Sequence, residues 1–114
     1  MKVLALVGVL MLSACSTEEM IWSAFTARGA TPEQVGEAIR VAECESSLRW
    51  DAVGAAGEFG ILQIHPVHRG RVEALGFSWD EMLMPWQNAV VAADLWAEQG
   101  WRPWFPSRSC WGGR

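Results

Sequence analysis

The feature that most constrains this sequence is a helix that runs into a carboxylate and is followed at once by a glycine-rich stretch. The stretch Thr31 to Gln34 starts the helix, because threonine caps a helix, proline suits its first position and glutamine completes a capping box. Apolar residues then recur at helical spacing, at Val35, Ala38, Ile39 and Ala42. Glu45 follows at the end of this apolar stripe, so we expect it to be partly desolvated.

Partial burial would give Glu45 the property that a general acid needs. Desolvation disfavours the charged form of a carboxyl group, so it raises the pKa and keeps the proton bound near neutral pH. The alternative is a solvated glutamate at a helix end, and position in the helix alone favours that alternative.

A glycine-rich loop and a short apolar run come after Glu45. Residues 49–60 have no helical period, and glycines recur at every third position, at Gly54, Gly57 and Gly60. This pattern predicts a loop or hairpin with sharp turns, and not a phosphate loop, because no Gly-Lys-Ser/Thr follows. The apolar run at residues 59–64 carries one amide, Gln63, whose partners are either a substrate acetamido or hydroxyl group or the loop backbone.

The N-terminus has the pattern of a targeting segment. Residues 3–12 are apolar, and this run is shorter than the roughly 20 residues that a lasting bilayer span needs. The sequence Leu12-Ser13-Ala14-Cys15 resembles the lipobox of bacterial lipoproteins, in which the cysteine is lipidated and becomes the mature N-terminus. We therefore expect a signal peptide at residues 1–14 and an exported, membrane-anchored lipoprotein that faces the periplasm or cell wall. An ordinary secretory peptide cleaved nearby and a single uncleaved anchor are the alternatives.

The three cysteines fit this interpretation. If Cys15 carries a lipid, Cys44 and Cys110 remain as a pair, which an oxidising compartment would allow to form a disulfide. Two free buried thiols are the alternative. Residues 15–30 are expected to form the lipidated N-terminus, a tether and a leading helix, and residues 31–114 the folded domain.

Composition argues against several classes of function. The formal net charge is -4 and no basic block appears, so nucleic acid is not expected as a partner. The sequence from His65 to His68 predicts a turn and not a metal site, because no third ligand lies near it. The chain has eight tryptophans and no tyrosine, and their flat apolar faces suit core packing and also stacking on sugar rings.

A second long helix opens at Pro85 and continues to about Gln99, with Asn88 in its first turn. Its small residues, Ala89, Ala92 and Ala93, predict close helix packing. Trp96 closes this face, and Trp104 follows in a tail rich in proline and glycine. Core packing is the default for each tryptophan, but we expect one or two of them to line a sugar groove.

The region from about Pro32 to Trp104 resembles the lytic transglycosylase domain of the lysozyme-like superfamily. The matching elements are Glu45-Ser46, Ala52, Gly57-x-x-Gly60-Ile61-Leu62-Gln63, Pro66 and Asn88. The cysteine before Glu45 and the late Trp/Cys tail are similar to short phage and actinobacterial members, including resuscitation-promoting factors. The chain departs from the family in three ways: Gly54 stands where serine is common, the later Tyr-Asn-Ala-Gly segment of longer members is missing, and no tyrosine matches the family's tyrosine near the acid. Trp96 and Trp104 are candidates for that space.

The resemblance implies an α+β, mainly α, lysozyme-like fold with a small β-hairpin lobe and a peptidoglycan cleft. It implies that Glu45 is the sole catalytic acid/base and that Gln63 binds substrate, with Ser46 and Asn88 supporting the cleft. The tryptophans named above complete the set of candidate substrate-binding residues. It implies no cofactor and no metal. We expect a monomer that acts on peptidoglycan glycan strands.

The implied reaction is transglycosylation of the β-1,4 bond between N-acetylmuramic acid and N-acetylglucosamine, with a 1,6-anhydro product. A muramidase that hydrolyses the same bond is the nearest rival. It would usually need a second carboxylate, for which Asp51 and Glu58 are the candidates. A non-catalytic peptidoglycan-binding lipoprotein is a third possible function, and a disulfide-stapled envelope protein without a ligand is a fourth.

Overall fold

The computed structural model describes residues 15–113, and that part of the chain is mainly helical, as predicted. Its α-helices are α1 (Thr17–Ala27), α2 (Pro32–Ser46), α3 (Arg69–Ala74), α4 (Pro85–Gln99) and α5 (Arg108–Trp111). Short 3₁₀ turns lie between them at Pro66–His68, Trp79–Leu83 and Arg102–Ser107. The predicted signal peptide at residues 1–14 lies outside the described residues.

Side-chain caps determine where the first two helices begin. At the start of α2, Thr31 Oγ1 accepts from Gln34 N at 3.2 Å and Gln34 Oε1 accepts from Thr31 N at 2.9 Å, which is the predicted capping box. Ser16 and Glu19 form the same arrangement at the start of α1, with both distances at 3.1 Å. These bonds satisfy N–H groups that have no partner within the helix.

Helix α1 belongs to the hydrophobic core and packs against α4 and α2. Ile21 and Phe25 are completely buried, and the predicted small-residue face of α4 is buried as well, at Ala89, Ala92 and Ala93. Small side chains let helices approach closely, so this face brings α4 into the centre of the fold. No helix within residues 15–113 is both long and apolar enough to cross a bilayer.

The glycine-rich segment after α2 folds back on itself without forming a regular strand within the described residues. Two isolated antiparallel bridges hold it, Val53 with Phe59 and Phe59 with Ile64. Gly57 and Gly60 have φ of 87° and 81°, so the backbone turns too often to leave a run of extended residues. The expected β-hairpin lobe is therefore not confirmed, and a compact bridged loop occupies its place.

Candidate active site

A cleft of about 320 Å³ lies between the end of α2 and the bridged loop. Its lining comes from both elements: Cys44, Glu45, Ser46, Ser47, Arg49, Ala52, Val53, Gly54 and Gln63. Helix α2 stops at this point because Ser47 and Leu48 adopt left-handed backbone angles, with φ of 55° and 60°. This sharp turn brings the loop back over the last helical turn and so places Glu45 and Gln63 in one cleft.

The Glu45 carboxyl group is half-buried and has one side-chain partner among the described residues. Ser107 Oγ donates to Glu45 Oε2 at 2.5 Å. Burial raises the pKa of Glu45 above its ordinary value, the Ser107 hydrogen bond opposes this rise, and the negative charge of Glu58 adds to it. A carboxyl group with a raised pKa, open to a cleft, has the character of a general acid.

The loop backbone holds the amide group of Gln63 in place. Its Nε2 donates to the carbonyl oxygens of Ala52 at 3.2 Å and Gly60 at 3.0 Å, so the loop backbone satisfies the amide nitrogen. Its Oε1 would lie 2.5 Å from a Cβ built on Gly54, and it accepts no hydrogen bond from the residues within 15–113. The fixed amide therefore leaves an acceptor oxygen at the cleft, and substrate binding by Gln63 stays a prediction.

Gly54 is the position where the family often has serine, and the loop explains the small residue. A Cβ there would meet both Gln63 Oε1 and Glu58 Oε1. Glu58 Oε1 accepts from Ala56 N at 2.8 Å, which shapes the loop, whereas Asp51 is exposed and does not line the cleft. Of the two candidate second carboxylates, Glu58 is the one whose charge acts on Glu45.

Asn88 supports the loop from beneath. Its side chain is completely buried, with Oδ1 accepting from Leu62 N at 3.0 Å and Nδ2 donating to Phe59 O and Met82 O at 2.8 Å each. A Cβ on Gly60 would clash with the same Met82 carbonyl and with Asn88 Nδ2. The loop can approach α4 this closely only because residue 60 is glycine, and Asn88 lies under the cleft instead of on its surface.

Ser46 has a similar place at the end of α2. It is 7% exposed, and its hydroxyl lies 2.7 Å from Ile61 O and 3.1 Å from Ala42 O. The contact with Ile61 crosses from the helix to the loop, so Ser46 fixes the loop next to Glu45. Its polar atom is occupied by the protein backbone, and a direct contact of Ser46 with substrate stays a prediction.

The family comparison is consistent with this geometry. The family model for the transglycosylase SLT domain matches residues 23–99, which is more than half of the chain. The chain belongs to this family. An SLT domain implies a peptidoglycan-acting enzyme of the lytic transglycosylase type. No curated protein and no solved structure matches the chain.

The two tryptophans predicted to bind sugar pack away from the cleft between α2 and the bridged loop. Trp104 is 3% exposed and donates from Nε1 to Leu62 O at 2.8 Å, so it holds the loop from its inner side. Trp96 packs on Phe25, with ring centroids 5.5 Å apart, and on Trp101 at 6.0 Å. Neither ring lines the cleft. Among the tryptophans, Trp50 has its side chain 57% exposed and directly follows a cleft-lining residue.

Ser107 is the site residue that the sequence did not suggest. It lies 62 residues after Glu45 and beyond the residues matched by the SLT family model, so no local spacing connects the two. The expected disulfide between Cys44 and Cys110 is present, and it is an indirect indication that Ser107 lies near Glu45. A bridge from the neighbour of Glu45 to Cys110 must bring the residues just before Cys110 to the cleft.

The histidine that precedes the turn Pro66–His68 has a local role. His65 Nδ1 accepts from Val67 N at 3.0 Å and so caps the turn. Within residues 15–113, no group of three His, Cys, Asp or Glu side chains is placed to hold a metal ion. The cleft between α2 and the bridged loop is lined by the carboxyl group of Glu45, the amide of Gln63 and the guanidinium group of Arg49.

Proposed function

We propose that this protein cleaves the β-1,4 bond between N-acetylmuramic acid and N-acetylglucosamine of peptidoglycan by transglycosylation, with Glu45 as both acid and base. The observation that carries the proposal is the half-buried Glu45, with a raised pKa, in a cleft shared with Gln63. Family membership supports peptidoglycan as the substrate.

One carboxyl group is enough for this reaction because the nucleophile belongs to the substrate. Protonated Glu45 gives its proton to the glycosidic oxygen as the bond from that oxygen to the anomeric carbon breaks, and the substrate acetamido group assists. The Glu45 carboxylate then takes the proton of the muramic acid 6-hydroxyl while its oxygen bonds to the anomeric carbon. The sugar itself holds its 6-hydroxyl near the reacting carbon, so the reaction consumes no water.

The products identify the reaction. Purified peptidoglycan treated with the protein is expected to release soluble muropeptides one water lighter than ordinary reducing-end fragments, as seen by mass spectrometry. Fragments with ordinary reducing ends would contradict transglycosylation and indicate a muramidase. Binding to peptidoglycan without any released fragment would contradict both and leave a non-catalytic wall-binding protein.

A muramidase is the second candidate because Glu58 acts electrostatically on Glu45. Hydrolysis usually needs a second carboxylate about 5–9.5 Å from the first. One oxygen of the Glu58 carboxylate, Oε1, accepts from Ala56 N, which favours a role in shaping the loop. The variant Glu58→Gln separates the two reactions, because a transglycosylase keeps releasing anhydro products, whereas a hydrolase that depends on Glu58 stops.

We also propose that the protein is exported and anchored by a lipid on Cys15. This cysteine is exposed at the start of the described chain and has no disulfide partner within it. In a bacterial host, the full chain is expected in the membrane fraction with the added mass of a lipid, and Cys15→Ser is expected to remove both features. A variant that stays in the membrane would indicate an uncleaved anchor, and an unmodified soluble wild type would indicate an ordinary secretory peptide.

A further inference from the structure

Three side chains form a continuous line of hydrogen bonds that ends on Glu45. Trp111 Nε1 donates to Ser107 Oγ at 3.0 Å, and the Ser107 hydroxyl donates to Glu45 Oε2 at 2.5 Å. Trp111 is 7% exposed, so water has little access to the start of this line. Because the indole N–H can only donate, it occupies a lone pair of the serine oxygen and leaves the serine proton for the carboxyl group.

The two oxygens of Glu45 are therefore not equivalent. Oε2 accepts from Ser107. Oε1 receives no hydrogen bond from any residue within 15–113, and it is not among their buried unpaired polar atoms, so it is open to the cleft. A neutral carboxyl group donates from the oxygen that carries its proton and accepts with the second oxygen.

We propose that Ser107 is a positioning residue that keeps Oε2 as the accepting oxygen of Glu45 and so places the transferable proton on Oε1, facing the glycan. The inference rests on the proposed acid/base function of Glu45. In the first step Oε1 loses its proton to the leaving oxygen, and in the second the same oxygen takes the proton of the 6-hydroxyl. Since Ser107 holds Oε2 in both steps, the carboxyl group does not need to rotate between them.

The C-terminal segment is fixed at the place where this hydrogen bond requires it. Ser107 ends the turn Arg102–Ser107, and Cys110 lies three residues later on α5. The disulfide joins Cys110 to Cys44, the direct neighbour of Glu45, with 6.0 Å between the Cα atoms. The Ser107 hydroxyl also lies 3.1 Å from Trp104 O, which is farther away than the Glu45 oxygen.

Charged groups around Glu45 come mainly from the bridged loop. Glu58 raises the pKa of Glu45 by its charge, after the larger effect of burial, and Arg49 lines the same cleft. The exposed charged residues on α2 are Glu33 and Glu43, and those on the C-terminal segment are Arg102 and Arg108. Within residues 15–113 the Ser107 hydroxyl is the side-chain donor to Glu45. Removing this hydroxyl takes a hydrogen bond away from the Glu45 carboxyl group and leaves the charges around it unchanged.

The decisive variant is Ser107→Ala, assayed on soluble, uncrosslinked glycan strands. We expect kcat to fall about 10- to 100-fold with KM unchanged, as for a lost hydrogen bond to a charged group. Because this hydrogen bond lowers the pKa of Glu45, its loss raises that pKa and moves the alkaline limb of the kcat profile to higher pH. Ser107→Thr keeps the hydroxyl group, so its kcat and the alkaline limb of its kcat–pH profile are expected to be those of wild type.

Two further variants keep the test conclusive. Trp111→Phe retains an aromatic ring but removes the N–H donor, and it is expected to lower kcat less than Ser107→Ala and in the same direction. Ser109→Ala is the matched control, because Ser109 is exposed on α5 and is expected to behave as wild type.

Three results would overturn the assignment of Ser107. In the first, Ser107→Ala has the kcat and pH profile of wild type while Glu45→Gln is inactive, which would leave the proposed function standing. In the second, Ser107→Ala loses kcat but the alkaline limb of its kcat–pH profile does not move. In the third, Ser107→Ala does not fold, and Trp111→Phe has the kcat and the alkaline limb of wild type. A fully active Glu45→Gln would instead overturn the proposed function itself.

Discussion

Replacing Glu45 by glutamine is expected to slow glycan cleavage by about 10³-fold, because proton transfer by a positioned carboxyl group contributes on that order. Glutamine has nearly the same shape, and its amide oxygen can still accept from Ser107, but it can neither give a proton to the leaving oxygen nor take one from the 6-hydroxyl. The measurement is the initial rate at which soluble muropeptides are released from peptidoglycan, together with the amount of protein bound to the same material, which should not change.

The same variant should not lose stability, which separates lost chemistry from lost folding. Burial raises the pKa of Glu45 above its ordinary value of 4.5, so the folded state holds this proton more tightly than the unfolded state does. The ionised carboxylate therefore opposes folding increasingly as pH rises from 4.5 through the raised pKa. At neutral pH the Tm of Glu45→Gln is expected to equal or exceed that of wild type, and any excess should vanish well below pH 4.5.

Glu43→Gln is the matched control for charge, since Glu43 is exposed on the same helix and should retain the wild-type rate. A Glu45→Gln protein that binds and cleaves as wild type would show that another group supplies the proton. A glutamine variant with a clearly lowered Tm at neutral pH would show instead that Glu45 is structural.

Removing the disulfide is the second large change, and it acts first on stability. The double variant Cys44→Ala, Cys110→Ala opens a bridge between residues 66 apart in sequence. Closing a loop of this length restricts the unfolded chain by about 4 kcal/mol, so we expect Tm to fall by about 15–30 °C. Thermal unfolding followed by circular dichroism, with and without reductant, measures this effect.

The activity of the double variant is expected to be lower than that of wild type even at temperatures below its Tm. The reason is that the disulfide holds the segment that carries Ser107 against Glu45. Cys15→Ser is the matched control, since Cys15 is exposed and unpaired among the described residues, and its Tm should be that of wild type. A double variant with unchanged Tm, or a reductant-insensitive wild type, would contradict the stabilising role of the bridge.

The helical part of the fold could be predicted from sequence because its signals are local. The capping box at Thr31 and Gln34 and the apolar spacing after it determined where α2 begins and which face it buries. Glu45 and Gln63 were found by a motif of fixed spacing, and they line one cleft as that motif implies. The pairing of Cys44 with Cys110 was predicted from the odd number of cysteines, on the assumption that Cys15 carries a lipid, and this disulfide is present.

The remaining features depend on contacts between distant parts of the chain. Whether residues 53–64 form strands depends on how many backbone positions turn, and the left-handed angle of Gln63, φ 47°, is not visible in its residue type. Trp96 and Trp104 were expected to bind sugar because a tryptophan ring suits both core packing and stacking on a sugar ring. Only the neighbours of each ring in the folded structure distinguish these two roles. Ser107 carries no pattern at all, because its partner is far away in sequence.

The start of the described chain leaves almost no free tether. Cys15 is exposed, and the very next residue, Ser16, already caps α1, whose Ile21 and Phe25 are buried in the core. With a lipid on Cys15, as proposed, one residue of free chain spans at most about 3.6 Å. The domain would then lie directly on the bilayer surface, and only the innermost glycan strands of the wall would come within its reach.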